Sequence, residues 1–200
     1  MVAADVDTEV IAQYFGRFAN VRRQDIESFV VAGRLRQLAA GQPFCELGQR
    51  HHELGFIREG ILRYHVTLAD GEDATKDFSF AGTFAVSFGS ASMGCPAEVA
   101  ISAVVATELR VWPYETLLAL YESGPEWQRL GRRVAELLYV RKERRELSFL
   151  LEDAETRYRR LHEQLGQGIH AIPQYHLASY LGIRPPSLSR LRKRIANSPR

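Results

Sequence analysis

At 200 residues, with 46% hydrophobic and 25% charged, the chain has ordinary globular composition, enough for one large or two modest domains without disulfide staples. No run of about eighteen apolar residues occurs, and the N-terminal stretch "MVAADVDTEVIAQYF" begins acidic; neither a membrane span nor a secretory signal is indicated, and a cytoplasmic location is expected. Cys45 and Cys95 stand far apart, which supports neither a disulfide framework nor a clustered-thiolate metal site and predicts reduced, buried thiols.

The net charge of +2 is unevenly spread. Residues 157–200 carry nine Lys/Arg against Glu163 as their one acid, so the first 156 residues are net acidic. A basic end on an acidic body is the footprint of a surface that meets a polyanion, whether DNA, RNA or an anionic membrane.

In chain order, residues 7–32 read as helical, with Asp7 or Thr8 as the cap and Ile11, Tyr14, Phe15 and Phe18 at helical spacing. From about residue 35 to 112, short apolar or alternating stretches are cut by Gly41, Gly48, Gly60, Gly71, Gly82 and Gly89. Strands at that spacing predict an antiparallel barrel or jelly roll. The clearest strand is 61–67, where Leu62, Tyr64 and Val66 alternate with Arg63, His65 and Thr67, ending at the "ADG" turn.

After the barrel the chain reads as helix. "YETLLALYESG" is a short one closed by Gly124, and Pro125 suits the first turn of a long helix to about Leu151. Its Trp127, Leu130, Val134 and Leu137 form a coiled-coil-like seam that breaks at "RKERRE" and resumes at Leu147, Leu150 and Leu151. A dimer-forming helix is expected; a helix packed on its own barrel is the alternative. "RKERRE" itself reads as a solvated or intrahelically paired face.

Asp153 is positioned to cap the next helix. Pro173 then opens a helix from Gln174 to Leu181, Gly182 suits its left-handed end, and a second helix follows Arg184. Two helices joined by a Gly-containing turn make a helix-turn-helix. Leu188, Leu191 and Ile195 form its buried stripe, and Ser187, Arg190 and Arg194 lie one position earlier on a neighbouring face. The major groove admits one such helix, so Ser187, Ser189 and Arg190 are assigned to base edges. Arg192, Lys193 and Arg194 are assigned to phosphates, and Gln174 to the backbone. The plain alternative is a solvated basic helix.

Taken together, "LASYLGIRPPSLSRLRK", "REGILRYHV", "DGEDATKDFSFAGTF" and "ATELRVWPYETLLALY" resemble the Crp/Fnr family of bacterial transcription regulators over nearly the whole chain. The resemblance implies an α+β chain: a cyclic-nucleotide-binding-like antiparallel β jelly roll, a long dimerisation helix and a C-terminal helix-turn-helix of winged-helix type. The expected domains are 1–124, 125–152 and 153–200. It also implies a homodimer through 125–152, double-stranded DNA as partner, contact with RNA polymerase, and no catalytic activity.

The stretch "FAVSFGSASMGCPAEVAIS" departs from the family's phosphate-binding cassette. Ser87 stands where a Glu would hold the ribose, and Ala97 or Glu98 where an Arg would hold the phosphate. No cation occurs between Lys76 and Arg110, so cyclic AMP and cyclic GMP are not expected as ligands and no cofactor is implied. The cysteine cluster of the oxygen-sensing branch is also missing, and a C-terminal wing is expected to be reduced or absent. A different effector would be lined by Ser87, Phe88, Ser90, Ser92, Met93 and Cys95, with a pocket collapsed on its own side chains equally compatible.

Two other classes compete. A metal-dependent jelly-roll enzyme would draw on His51, His52 and Glu53, but adjacent histidines on a strand face opposite ways. A ligand-sensing or protein-interaction module with an incidental basic tail would not retain specific DNA.

Overall fold

The structure, a computed structural model, describes residues 2–197; Met1 and residues 198–200, including Arg200 of the basic end, lie outside the described residues. Contacts divide it into two compact units: Met1–Tyr64 with Phe78–Tyr139, and His65–Asp77 with Val140–Arg200.

Helices α1 (Val2–Gly16) and α2 (Arg23–Ala32) precede eight short strands, which lie in the first unit except for the end of the fourth and the start of the fifth. These are β1 (Arg34–Leu38), β2 (Pro43–Cys45), β3 (Glu53–Glu59), β4 (Ile61–Thr67), β5 (Asp73–Phe80), β6 (Phe84–Val86), β7 (Ala100–Ala103) and β8 (Thr107–Pro113), with helix α3 (Phe88–Met93) between β6 and β7. They form two four-stranded sheets, ordered β1-β8-β3-β6 and β2-β7-β4-β5. The β1–β8, β3–β8, β3–β6 and β2–β7 pairs are antiparallel. Helix α4 (Tyr114–Ser123) leads into the long helix α5 (Pro125–Leu151).

The pleat of β3 and β8 feeds two cores at once. Ile57, Leu109 and Val111 join Leu38, Phe44, Leu62 and Ile101 in one cluster. Leu54, Phe56 and Trp112 instead join Ile11, Phe15, Phe29, Val30, Trp127 and Leu130 from the helices. A strand buried on both faces loses the polar half of its alternation, which is why "LGFI" reads as a continuous apolar run. Trp112 stacks on Phe29 with ring centroids 4.3 Å apart and donates its indole N–H to the Phe29 carbonyl at 2.6 Å.

Gly60 allows the tight β3–β4 connection. Its φ is +100°, and a Cβ there would stand 2.4 Å from the Thr107 Oγ1, so both conformation and space require glycine.

Several expectations change. The stretch 7–32 is two helices, and α1 begins at Val2, so Asp7 and Thr8 lie within it rather than at its cap. Asp7 instead sits buried, accepting from Arg58 Nε at 2.7 Å and Arg110 Nε at 2.6 Å. Arg63, on the polar side of the β4 alternation, is buried as well. Trp127 and Leu130 pack into their own helical core with Val134 against them, so the first turns of the seam face inward. Cys45 is buried and Cys95 half-buried; both are free thiols.

The second unit holds the β4–β5 turn, the end of α5, and helices α6 (Ala154–Leu165), α7 (Gln174–Leu181) and α8 (Pro185–Asn197), with a 3-10 turn Gly166–Ala171 between α6 and α7. Its core includes Tyr158, Leu161, Ile169, Ile172, Leu177, Ala178, Leu181, Leu188 and Leu191. No helix among the described residues is long and apolar enough to cross a membrane.

Candidate nucleic-acid interface and effector region

The helix-turn-helix is built from local signals. Asp153 caps α6 by accepting the Thr156 N–H at 2.8 Å, and that bond, made to the ionised carboxylate, holds its pKa below the ordinary value. Gly182, at φ +70°, ends α7: its N–H reaches the Ser179 carbonyl and the Ile183 N–H the Ala178 carbonyl, each at 3.0 Å. That pair of bonds is the Schellman closure, which returns the chain sharply toward α8. Pro185 and Pro186 occupy the first turn of α8, where a missing N–H costs nothing, and the Ser187 N–H donates back to the Arg184 carbonyl at 2.9 Å.

On α8, Leu188 and Leu191 are buried and Ile195 half-buried, which turns Ser189, Arg190 and Lys193 outward. Gln174 is exposed at the start of α7. Ser187 is half-buried, and its hydroxyl accepts from Arg190 at 3.3 Å. The remaining two cations have partners within the unit. Arg192 donates from Nε to the Tyr158 hydroxyl at 3.0 Å and approaches His170 Nδ1 at 3.4 Å. Arg194 pairs with Glu155.

In the effector region, the expected residues differ in exposure and in partner. Ser90 is buried and its hydroxyl accepts the His51 N–H at 2.8 Å. Phe88 and Met93 are exposed, as is Ser92, whose hydroxyl bonds the Phe88 carbonyl. Cys95 bonds the Gly89 carbonyl at 3.3 Å. Ser87 lies beside Cys45: burial pushes the Cys45 thiol pKa up, and a hydrogen bond from Ser87 partly offsets it. Ala97 is buried and Glu98 exposed. His51 and His52, just before β3, are half-buried and exposed respectively. Among the described residues, no group of three or more His, Cys, Asp and Glu is placed to hold a metal ion.

One cluster had no signature in the sequence. The Thr75 N–H donates to the Ser179 hydroxyl at 2.8 Å, Arg141 pairs with Asp77 at 2.9 Å, and the Arg145 guanidinium lies 3.7 Å from the Tyr180 ring centroid.

No family model and no curated protein sequence matches the chain. Solved structures do match in fold. FixK2 from Bradyrhizobium japonicum matches with a TM-score of 0.71 at 15% identity, over 82% of this chain and 84% of that one. The c-di-GMP-responsive global regulator CLP of Xanthomonas campestris gives 0.67 at 18%, over 88% and 92%. The catabolite activator protein of Thermus thermophilus gives 0.56 at 21%, over 88% and 84%. The fold of the chain is thus that of the Crp/Fnr regulators.

Proposed function

We propose that the protein is a homodimeric, sequence-specific DNA-binding transcription regulator of the Crp/Fnr type. The observation that carries this reading is α8: its apolar stripe is buried while Ser189, Arg190 and Lys193 face outward from the helix that follows the Gly182 turn. Arg190 takes the bidentate guanine contact, and Ser187 and Ser189 meet neighbouring base edges. Lys193 contacts phosphate, as does Gln174 at the start of α7. Arg192 and Arg194 contribute positive potential beside the groove, with their present partners holding them along the flank of α8.

Dimerisation uses the part of α5 that its own core leaves uncovered: Leu137, Leu138, Tyr139, Leu147, Leu150 and Leu151 are all exposed. Such a run on one helix is what a second copy would cover. RNA polymerase is the further partner, as the resemblance implies. The barrel has lost the cyclic-nucleotide chemistry, since its cassette stretch offers Ala97 and Glu98 where the phosphate would need a cation. A different small effector near Ser87, Ser90 and Cys95 is compatible with the reading; one solved neighbour, CLP, is c-di-GMP-responsive by its description.

The test is retention of sheared genomic DNA by purified protein at physiological salt, followed by sequencing. Enrichment of a palindrome with half-sites about one duplex turn apart is expected. Binding without sequence preference, at wild-type fold and dimer state, would overturn the reading in favour of an interaction module with a basic tail.

A further inference from the structure

We propose that Ser179 and Arg145 are positioning residues for the DNA-reading helix pair, fastening α7 so that a dimer accepts a single half-site spacing. The inference rests on the DNA-binding reading above.

Helix α7 is the support against which α8 is presented, and it is fixed from two directions within its compact unit. On one side stands the start of β5. The Thr75 N–H donates to the Ser179 hydroxyl at 2.8 Å, and that hydroxyl lies 3.4 Å from the Asp73 carbonyl, so one side chain is both acceptor and donor to the strand. The strand is itself held, through the turn before it by the Leu68 N–H to the Glu72 carbonyl at 2.8 Å and by Asp77 to Arg141 of α5 at 2.9 Å.

On the other side stand the last turns of α5. The Arg145 guanidinium lies between two rings, 3.7 Å from the Tyr180 centroid and 4.4 Å from that of Phe149, and it donates to the Tyr180 carbonyl. Arg157 adds bonds to the Leu181 carbonyl at 2.9 Å and the Ser148 carbonyl at 3.1 Å. Phe149 also closes on Gly182, where a Cβ would meet its ring at 2.9 Å.

A cation stacked on aromatic faces while bonded to a helix-terminal carbonyl loses both interactions on a small rotation. The hydroxyl bridge adds a second point off that axis, so α7 cannot pivot about Arg145 while Ser179 remains bonded. None of these groups lies among those proposed to touch DNA. They act through α7, and their effect falls on where the two reading helices of a dimer stand. Because each base pair advances the duplex by about 3.4 Å, a small change in helix placement matches a different site.

The test uses full-length Ser179→Ala, Ser179→Thr and Arg145→Gln. Without DNA, amide exchange at Thr75 reports the bridge: Ser179→Ala should speed it about fivefold, the scale of one net hydrogen bond, and Ser179→Thr should restore it. With DNA, each protein is titrated against the palindrome that wild type enriches and against copies with the half-sites one base pair closer or farther apart. Wild type and Ser179→Thr should discriminate sharply. Ser179→Ala and Arg145→Gln should discriminate less, at an unchanged salt slope. Unchanged Thr75 exchange overturns the bridge. Altered exchange with spacing discrimination intact overturns the positioning role. Absence of any enriched palindrome for wild type removes the DNA reading and this inference with it, and the exchange result then tells that failure apart from a missing bridge.

Discussion

The Arg110 guanidinium meets the Asp7 carboxylate at 2.6 Å with both side chains buried, and it also donates to the Gly33 carbonyl at 3.0 Å and the Val30 carbonyl at 3.2 Å. One cation thereby ties α1 and the end of α2 to strand β8. Arg58 reaches the other Asp7 oxygen at 2.7 Å, so the carboxylate is held from both sides. Replacing Arg110 with Met leaves Asp7 buried with half its compensation and takes a donor from the Gly33 and Val30 carbonyls, the latter still accepting the Gly33 N–H at 3.1 Å. The loss should be about 3–5 kcal/mol of unfolding free energy, read from urea denaturation. Arg110→Met with Asp7→Asn should recover part of it; a single variant within about 1 kcal/mol of wild type would show the network to be dispensable.

The dimer reading predicts a separation of assembly from folding. Leu150 and Leu151 are 80% and 79% exposed, so Glu at both positions removes nothing from the core of the chain itself. The Leu150→Glu, Leu151→Glu variant should sediment as a monomer with wild-type thermal stability at low protein concentration. Dimers that persist at wild-type affinity would move the contact elsewhere.

Base reading and phosphate holding should come apart on α8. Arg190→Ala should lose about 1–3 kcal/mol of discrimination at one base-pair position, while Lys193→Ala should weaken all sequences alike and lower the salt slope by about one. Competition binding with specific and random duplexes at several salt concentrations measures both. Equal losses in the two variants on both DNAs would contradict the division of roles.

His51 should make stability depend on pH. Burial lowers its pKa below the ordinary value; Glu53 pulls it back, and Arg36 and His52 push it down further. Its ring sits edge-on to Phe44 at 4.6 Å, and Nε2 is buried with no hydrogen-bond partner among the described residues. The unfolded chain takes up a proton near the ordinary histidine value of about 6.5, whereas the folded chain resists it. This contribution is therefore fully present above about pH 6.5 and is lost as the pH falls toward the lowered folded value. Urea denaturation across that range should show a shallower pH slope for His51→Gln than for wild type; an identical slope would assign the dependence to other groups.

How far each feature could be read from the chain depended on how local its cause is. Gly182, Asp153 and Pro125 announce a left-handed residue, a cap and a first turn within a few positions, and all three stand in those roles. Asp7 misled because a carboxylate near a helix start has the chemistry of a cap, and only its two arginine partners, Arg110 buried and Arg58 half-buried, show what it does. Trp127 and Leu130 fit a dimer seam by spacing, yet a helical core supplied by α1, α2 and β8 already covers them. Arg192, Lys193 and Arg194 carry the same charge in succession, but about 100° of helical rotation between neighbours sends the first to Tyr158 and the last to Glu155 while Lys193 stays exposed.

The sequence by itself determined the order of elements, the β roll, the long helix, the helix-turn-helix and the basic face on α8, because periodicity, turn chemistry and charge act over a few residues. Tertiary structure alone decided which polar groups hold these pieces in place. Arg110 and Asp7 are 103 positions apart, and Thr75 and Ser179 are 104. Such pairs form between residue types common on any surface, so nothing marks them until folding removes the water that each would otherwise bind.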